Sequence, residues 1–266
     1  MGERGMENNI DKIFQTTIAG LEDGLQVQHI ATFSIVTCSL NDPVNHVLDA
    51  HPGYDRVPVK DEKGCIVAVL ERTNGELSEI VKDCMKPLDD SVLVSAEEPL
   101  NKFIPSMADE PHYRLVLRGM KIDGIVTRSD LLKLPVRLLV FARVTHLEML
   151  IARIIQANCM NDDDWLRHLS QKEQDDIKKG HGELERSRDD PPLLELTQLG
   201  QKIRILRKIL SLDDNTCSRL EEVRHLRNSI AHAKDFAGNE ERLCKFMKHL
   251  EFADGLIQQM YTHLSL

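Results

Sequence analysis

The sequence predicts an α+β protein in two parts, a repeated strand-and-helix domain followed by an all-helical bundle. Three observations carry that prediction. "SLNDPV" (39–44) aligns with "SAEEPL" (95–100) at an offset of 56 residues, and "VAVLERTN" (67–74) aligns with "DGIVTRSD" (123–130) at the same offset. β-branched alternation stops at Pro135, after which apolar residues recur at spacings of three and four. Charge divides at the same place: residues 1–135 hold 14 Lys/Arg against 22 Asp/Glu, a net of −8, and residues 136–266 hold 20 against 21, a net of −1.

Residues 1–29 read as an N-terminal extension that opens on the polar, acidic "MGERGMENNIDKIF", with no signal-peptide core. Over 30–135 each repeat reads as a strand, an acidic turn with Pro, a helix and two short strands. The strands rest on "FSIVTCS", "RVPV", "CIVAVL", "SVLVS", "YRLVLR" and "IDGIVT". Each unit is too small to bury its own faces, so the two pack as one pseudo-twofold domain. Pro135 ends it, and 136–266 form the bundle. "VRLLVFARVTHLEMLIARIIQANC" is apolar on most sides (Leu139, Ala142, Leu147, Leu150, Ile151, Ile154), which requires burial by its own domain or by a partner subunit. "NDDDW" reads as a loop and "SQKEQDDIKKGHGELERSRDDPP" as an exposed charged stretch. Helices follow over "LLELTQLGQKIRILRKIL", over "TCSRLEEVRHLRNSIAHAKDF" with a cap between Asp213 and Thr216, and over "NEERLCKFMKHLEFADGLIQQMYTHL".

The six cysteines lie far apart, with no C-x-x-C pair and no Cys/His spacing for zinc, which predicts reduced thiols in a cytoplasmic protein and no metal. No apolar run approaches the roughly 20 residues of a membrane span. On a chain of net charge −9, residues 199–234 carry eight basic residues against four acidic. Lys202, Arg204, Arg207, Lys208 and Arg224 are therefore candidate contacts to a polyanion such as RNA, the alternative being a solvated helix face. An aromatic content of 4% argues against a base-stacking platform. There is no G-x-x-x-x-G-K-[ST] phosphate loop.

The turn-Pro-helix, the "RVPV" strand and the "GIVTRSDLL" signature make residues 30–135 resemble a tandem pair of CBS domains. That resemblance implies an adenine-nucleotide ligand (ATP, ADP or AMP) in a cleft between the units. In the second repeat Gly124 would let the ligand approach, Thr127 would bond phosphate or ribose, and Asp130 would accept from ribose hydroxyls. Arg114 would face the phosphates or lie at the surface. The first repeat departs from the pattern with Ala68, Glu71 and Asn74, and Glu71 would repel a phosphate. The alternative is that Thr127 and Asp130 cap the helix that follows.

"RNSIAH" places Arg227, Asn228 and His232 late on a helix of an all-α domain. His225 and His232 stand two turns apart, about 10 Å along the axis, too far to share a metal ion. The motif is similar to the Arg-Asn-x-x-x-His of the HEPN superfamily, whose members include metal-independent endoribonucleases acting as dimers. The resemblance implies that His232 handles the proton of the RNA 2'-hydroxyl, that Arg227 stabilises the phosphorane, and that Asn228 orients one of them. Glu148 is a candidate partner for Arg227. Products would be 2',3'-cyclic phosphates, and the dimer would form through the helical domain, with a larger assembly permitted. Toxin and defence roles suit such an enzyme. The competing expectation is a nucleotide-sensing regulator whose helical domain only dimerises or binds RNA or protein.

Overall fold

The computed structural model describes residues 16–72, 79–186 and 191–264. The described chain divides into two compact units, residues 20–136 and 137–264, the second taking residues 16–19 as well. Residues 1–15, Asn74 and residues 187–190, all read above from sequence, lie outside the described residues.

Helix α1 is described over residues 16–24. In the first unit two four-stranded sheets repeat one plan. The first, in order β2-β3-β4-β5, holds β2 (Cys38–Ser39), β3 (Arg56–Lys60), β4 (Ile66–Glu71) and β5 (Lys86–Pro87). The second, in order β1-β8-β7-β6, holds β1 (Thr32–Phe33), β6 (Leu93–Ser95), β7 (Tyr113–Arg118) and β8 (Lys121–Thr127). In each a short strand pairs in parallel with the next, across helix α2 (Val44–Ala50) or α3 (Leu100–Ser106), and that strand turns back antiparallel. Pro43 and Pro99 precede the helices, where a fixed φ and a missing N–H cost nothing.

"FSIVTCS" is not one strand. Ser34 adopts a left-handed φ of 59°, and the chain leaves β1 in the second sheet to enter β2 in the first. The lead-in to the first repeat therefore completes the sheet of the second. Upstream, the amides of Val27 and Gln28 donate to Glu98 and Ala96, and Leu100 donates back to Leu25. The pseudo-symmetric set is Val81 to Asp42, Lys82 to Leu40, and Val44 to Glu79. Pairing thus begins at Leu25, five residues before the expected start of the domain at residue 30. The two-residue β5 has too little apolar pattern to be seen in sequence.

One cluster (Cys38, Val44, Val47, Leu48, Val57, Val59, Ala68, Leu70, Val81) fills the first repeat, and a second (Val69, Val92, Tyr113, Leu115) joins strands of both repeats.

The helical unit holds α4 (Leu134–Asn158), α5 (Asp162–Leu166), α6 (Gln171–Arg186), α7 (Leu199–Leu210), α8 (Asp214–Ala231) and α9 (Glu240–Leu264). "NDDDW" is a helix rather than a loop: Asn161 caps it, and the buried Trp165 donates its indole N–H to Asp162. The charged stretch is largely helix α6, anchored by the buried Ile177. α7 starts only at Leu199, after a 3-10 turn at Leu193–Leu196. Asp213 caps α8 through the Thr216 amide at 2.9 Å. On α9 the buried residues Leu243, Phe246, Leu250, Ala253, Ile257 and Met260 alternate spacings of three and four, a heptad-like seam. Among the described residues no helix is long and apolar enough to cross a membrane.

Gly124 supplies a test of the sheet. A Cβ there would lie 2.9 Å from the Phe33 ring, its cross-strand partner. In the first repeat Ala68 pairs with Pro87, which leaves room for a methyl group. Gly124→Ala is expected to destabilise the first unit by about 1–3 kcal/mol. Adding Phe33→Leu should return at least half of that loss in urea denaturation; a neutral Gly124→Ala would show that the ring does not set the residue.

Candidate functional site

The Arg-Asn-His stretch straddles the end of α8. The helix stops at Ala231, five residues short of the expected "KDF" terminus, because Ala233 turns left-handed (φ 53°). The Lys234 amide donates to the Ser229 carbonyl at 2.8 Å and the Ala233 amide to Ile230 at 3.1 Å, a Schellman closure with alanine where glycine is usual. His232 is thus the C-cap residue, and its side chain is exposed. Arg137 locks this end from α4: its guanidinium donates to the Lys234 carbonyl at 3.0 Å and to Ile230 at 3.4 Å, and stacks 5.0 Å from the Phe236 ring. A cation at a helix C-terminus is also favoured by the helix dipole. Sequence reasoning missed Arg137, because its partners lie nearly a hundred residues away and are backbone atoms.

Arg227 is half-buried. Its Nη1 donates to the Asn228 Oδ1 at 3.4 Å, and its guanidinium lies 5.6 Å from the centre of the Phe141 ring on α4. It has no carboxylate partner among the described residues. Glu148 is not that partner. It takes the ammonium of Lys202 at 3.0 Å, and Lys202, buried to 5% exposure, also donates to the Thr197 carbonyl at 2.6 Å. Lys202 therefore points into the bundle and is withdrawn from any RNA-facing surface. Arg204 pairs with Glu173, Arg207 with Asp214 and Arg224 with Glu221; Lys208 is exposed. Four of the eight basic residues of the stretch are thus paired, two with acids from other helices and two with acids of the stretch itself. Such exposed pairs are worth little each and can exchange partners with a phosphate.

In the first unit Thr127 caps the 3-10 turn Arg128–Leu132. Its amide donates to the Asp130 Oδ2 at 2.6 Å and its hydroxyl to the same oxygen at 2.9 Å. Asp130 is 7% exposed, and its other oxygen meets Lys133 at 2.7 Å, an ammonium that also bonds the Ile30 carbonyl. Three donors occupy a carboxylate with about four acceptor positions, so one remains for a ribose hydroxyl. Arg114 does not face a phosphate. It is 7% exposed, its guanidinium donates to the carbonyls of Pro111, Tyr113 and Ser106, and burial holds its pKa below the usual value. Gly124 is accounted for by Phe33. Glu71 does not stand as an isolated repelling charge either: Lys86 pairs with it, and Arg56 lies 3.6 Å away while stacking 4.6 Å from the Tyr113 ring.

Residues 81–137 match the family model for the CBS domain. The chain contains a CBS domain. No curated protein matches it. Among solved structures, the CBS domain of a CBS domain-containing membrane protein from Sphaerobacter thermophilus is similar at 19% identity and a TM-score of 0.38, covering 47% of this chain and 96% of that one. The CBS domain of a bacterial CNNM/CorC family Mg2+ transporter in complex with ATP is 20% identical, with a TM-score of 0.35 over 45% of this chain and 92% of that one. CBSX2 in complex with AMP is 17% identical, with a TM-score of 0.36 over 42% and 97%. Within the CBS domain the signature residues Thr127 and Asp130 adjoin one another, whereas Arg114 and Gly124 serve the fold. Among the described residues no group of three or more His, Cys, Asp or Glu is placed to hold a metal ion.

Two outcomes test these assignments. Ala233→Gly is expected to stabilise the helical unit by about 1 kcal/mol, since glycine adopts the left-handed cap without strain. A destabilised variant in calorimetry would refute the Schellman closure. Lys202→Met strands Glu148 and should cost about 3 kcal/mol. A variant as stable as wild type in urea denaturation would place Lys202 at the surface instead.

Proposed function

We propose that the chain is an adenine-nucleotide-regulated, metal-independent endoribonuclease of the HEPN type that acts as a homodimer. The observation that carries this reading is Arg227. A half-buried guanidinium without a carboxylate partner among the described residues, five positions before the exposed C-cap residue His232, is suited to a phosphate rather than to the protein's own acids.

The RNA 2'-oxygen attacks the adjacent phosphorus as the bond to the 5'-oxygen breaks. A neutral imidazole of His232 takes the 2'-hydroxyl proton, and an imidazolium returns one to the leaving 5'-oxygen. The fixed fork of Arg227 meets the charge that gathers on the non-bridging oxygens, and Asn228 steers the guanidinium it already touches. The products are a 2',3'-cyclic phosphate and a 5'-hydroxyl. Dimerisation supplies the second copy of each group. Leu138 (45% exposed), Phe141, Thr145 and Met149 form an incompletely buried stripe along α4, and Phe141 is the ring on which Arg227 lies. Pairing two such stripes would bring both Arg227 side chains to one cleft.

Regulation is assigned to the CBS domain, with Thr127 and the remaining acceptor position of Asp130 taking the ribose of ATP, ADP or AMP. Two similar domains carry ATP and AMP in their solved structures. Helix α4 begins at Leu134 with no loop after the domain's last turn, so strain at that turn has a short path along the chain. A coupling of about 1–3 kcal/mol would switch activity roughly 5- to 150-fold.

The deciding experiment is RNA cleavage in EDTA by wild type, His232→Ala and Arg227→Lys, each with and without ATP or AMP. Wild type should cleave, His232→Ala should fall by about 10²–10⁴-fold, and Arg227→Lys should not be rescued by its retained charge. Folded wild-type dimer that cleaves nothing under any of these conditions would assign the helical unit to binding alone.

A further inference from the structure

A cavity in the helical unit is lined by none of Arg227, Asn228 and His232. It occupies about 510 Å³ between α8, α9 and the loop that joins them. Leu226, Phe236 and Phe246 form its apolar wall, and the two rings sit 4.8 Å apart at 48°. Four cations line it, Arg219, Arg242, Lys245 and Lys248, against two carboxylates, Glu222 and Asp235. On a chain with a net charge of −9 that excess is local and unexpected.

The partners of these groups sharpen the pattern. Arg242 is held by Asp235 at 2.6 Å, and Lys245 by Glu241 at 2.6 Å. Asp235 is fully engaged in building the loop, since its Oδ1 accepts from the Gly238 amide at 2.6 Å and the Ala237 amide at 3.1 Å. A side chain at position 238 would collide with that carboxylate, which accounts for the glycine. Arg219 and Lys248 have no salt-bridge partner among the described residues, and the Arg219 guanidinium carbon lies 4.1 Å from the centre of the Phe252 ring. Such a ring contact holds a cation without neutralising its charge. His249 sits at the wall, its Nδ1 3.6 Å from Glu222. Burial, with Arg219 and Lys245, holds its pKa below the ordinary range against the pull of Glu222, so near neutrality it offers both a donor and an acceptor nitrogen.

We propose that this cavity binds a phosphorylated nucleoside, its phosphate at Arg219 and Lys248 and its flat base against Leu226 and Phe236. The volume lies in the usual range for small-ligand sites, roughly 300–1,000 Å³, and an apolar wall with a few convergent polar groups is their usual make-up. A free nucleotide and a nucleotide at the end of an RNA strand share this chemistry. The proposal is independent of strand cleavage, because none of the Arg-Asn-His residues lines the cavity.

The test is equilibrium binding of AMP, and separately of a 5'-phosphorylated oligoribonucleotide, to the full chain. Lys248→Glu alone should weaken the preferred probe about 3- to 10-fold, and Arg219→Gln with Lys248→Glu more than 10-fold. Lys178→Glu with Lys179→Glu, a larger charge change away from the cavity, should leave binding within twofold. Tighter binding of AMP would identify a free nucleotide as occupant, and tighter binding of the oligonucleotide a strand end. Photoreactive 8-azido-AMP should label peptides spanning 219–249. Labelling confined to 20–136, no binding of either probe at millimolar concentration, or equal losses in the Lys178/Lys179 control would each overturn the proposal. Lys248 is exposed, so its variant tests the site even if the Arg219 variant fails to fold.

Discussion

The constraint on which much of this structure depends is the unmet backbone carbonyl at the end of a helix. The last four carbonyls of a helix have no partner within it, and burying one unpaired costs as much as losing a hydrogen bond. Three helices here meet that demand with an arginine from outside. Arg72 donates to Leu48, His51 and Tyr54 at the end of α2. Arg114 does the same for Ser106 at the end of α3, and also holds the carbonyls of Pro111 in the following loop and Tyr113 in β7. Arg137 holds Ile230 and Lys234 at the end of α8. The first two arise at unrelated places in their repeats, one after β4 and one within β7, so the pseudo-twofold symmetry preserves the need and not the residue. The third fixes the turn that presents His232.

That constraint also explains why some residues were legible in the sequence and others were not. The 56-residue offset, the change of period at Pro135 and the Asp213 cap are local patterns, and local patterns survive into structure. Arg114 shows the limit. A cation just before a central strand reads equally well as a phosphate ligand or as a surface residue, and only the carbonyl positions reveal a tether. Ser34 and Ala233 are harder still, because a left-handed residue that is not glycine leaves no compositional mark. Each moved an element boundary: one split a strand between two sheets, the other ended α8 before His232.

Charge was legible only as a sum. Eight basic residues in 199–234 suggested a positive face, yet Glu148 and Glu173 from other helices, and Asp214 and Glu221 from within the stretch, each take one of them. Lys202 is the clearest case. At the sequence level it belongs to a run of four cations, but it sits on the buried side of α7, where a charge is tolerable only with a partner, and Glu148, the one acidic residue of α4, is that partner. The same pairing removes Glu148 from Arg227. One ion pair therefore both withdraws a lysine from the surface and leaves an arginine without an acid.

The arginines of α8 then separate by what they rest on. Arg224 is held by Glu221. Arg219 and Arg227 lack a carboxylate among the described residues, and each lies over an aromatic ring, Phe252 and Phe141 respectively. A salt bridge consumes the in-plane N–H groups of a guanidinium, whereas a stacked ring holds its face and leaves those donors outward. Stacking also lowers the cost of keeping an unneutralised cation half-buried, and it limits the rotamer freedom a ligand would otherwise have to remove. The two stacked arginines stand at different places, one at the α8–α9 cavity and one beside the Asn228–His232 turn. In both, a cation lies near an aromatic ring rather than against a carboxylate, and the proposed phosphate contacts rest on that arrangement.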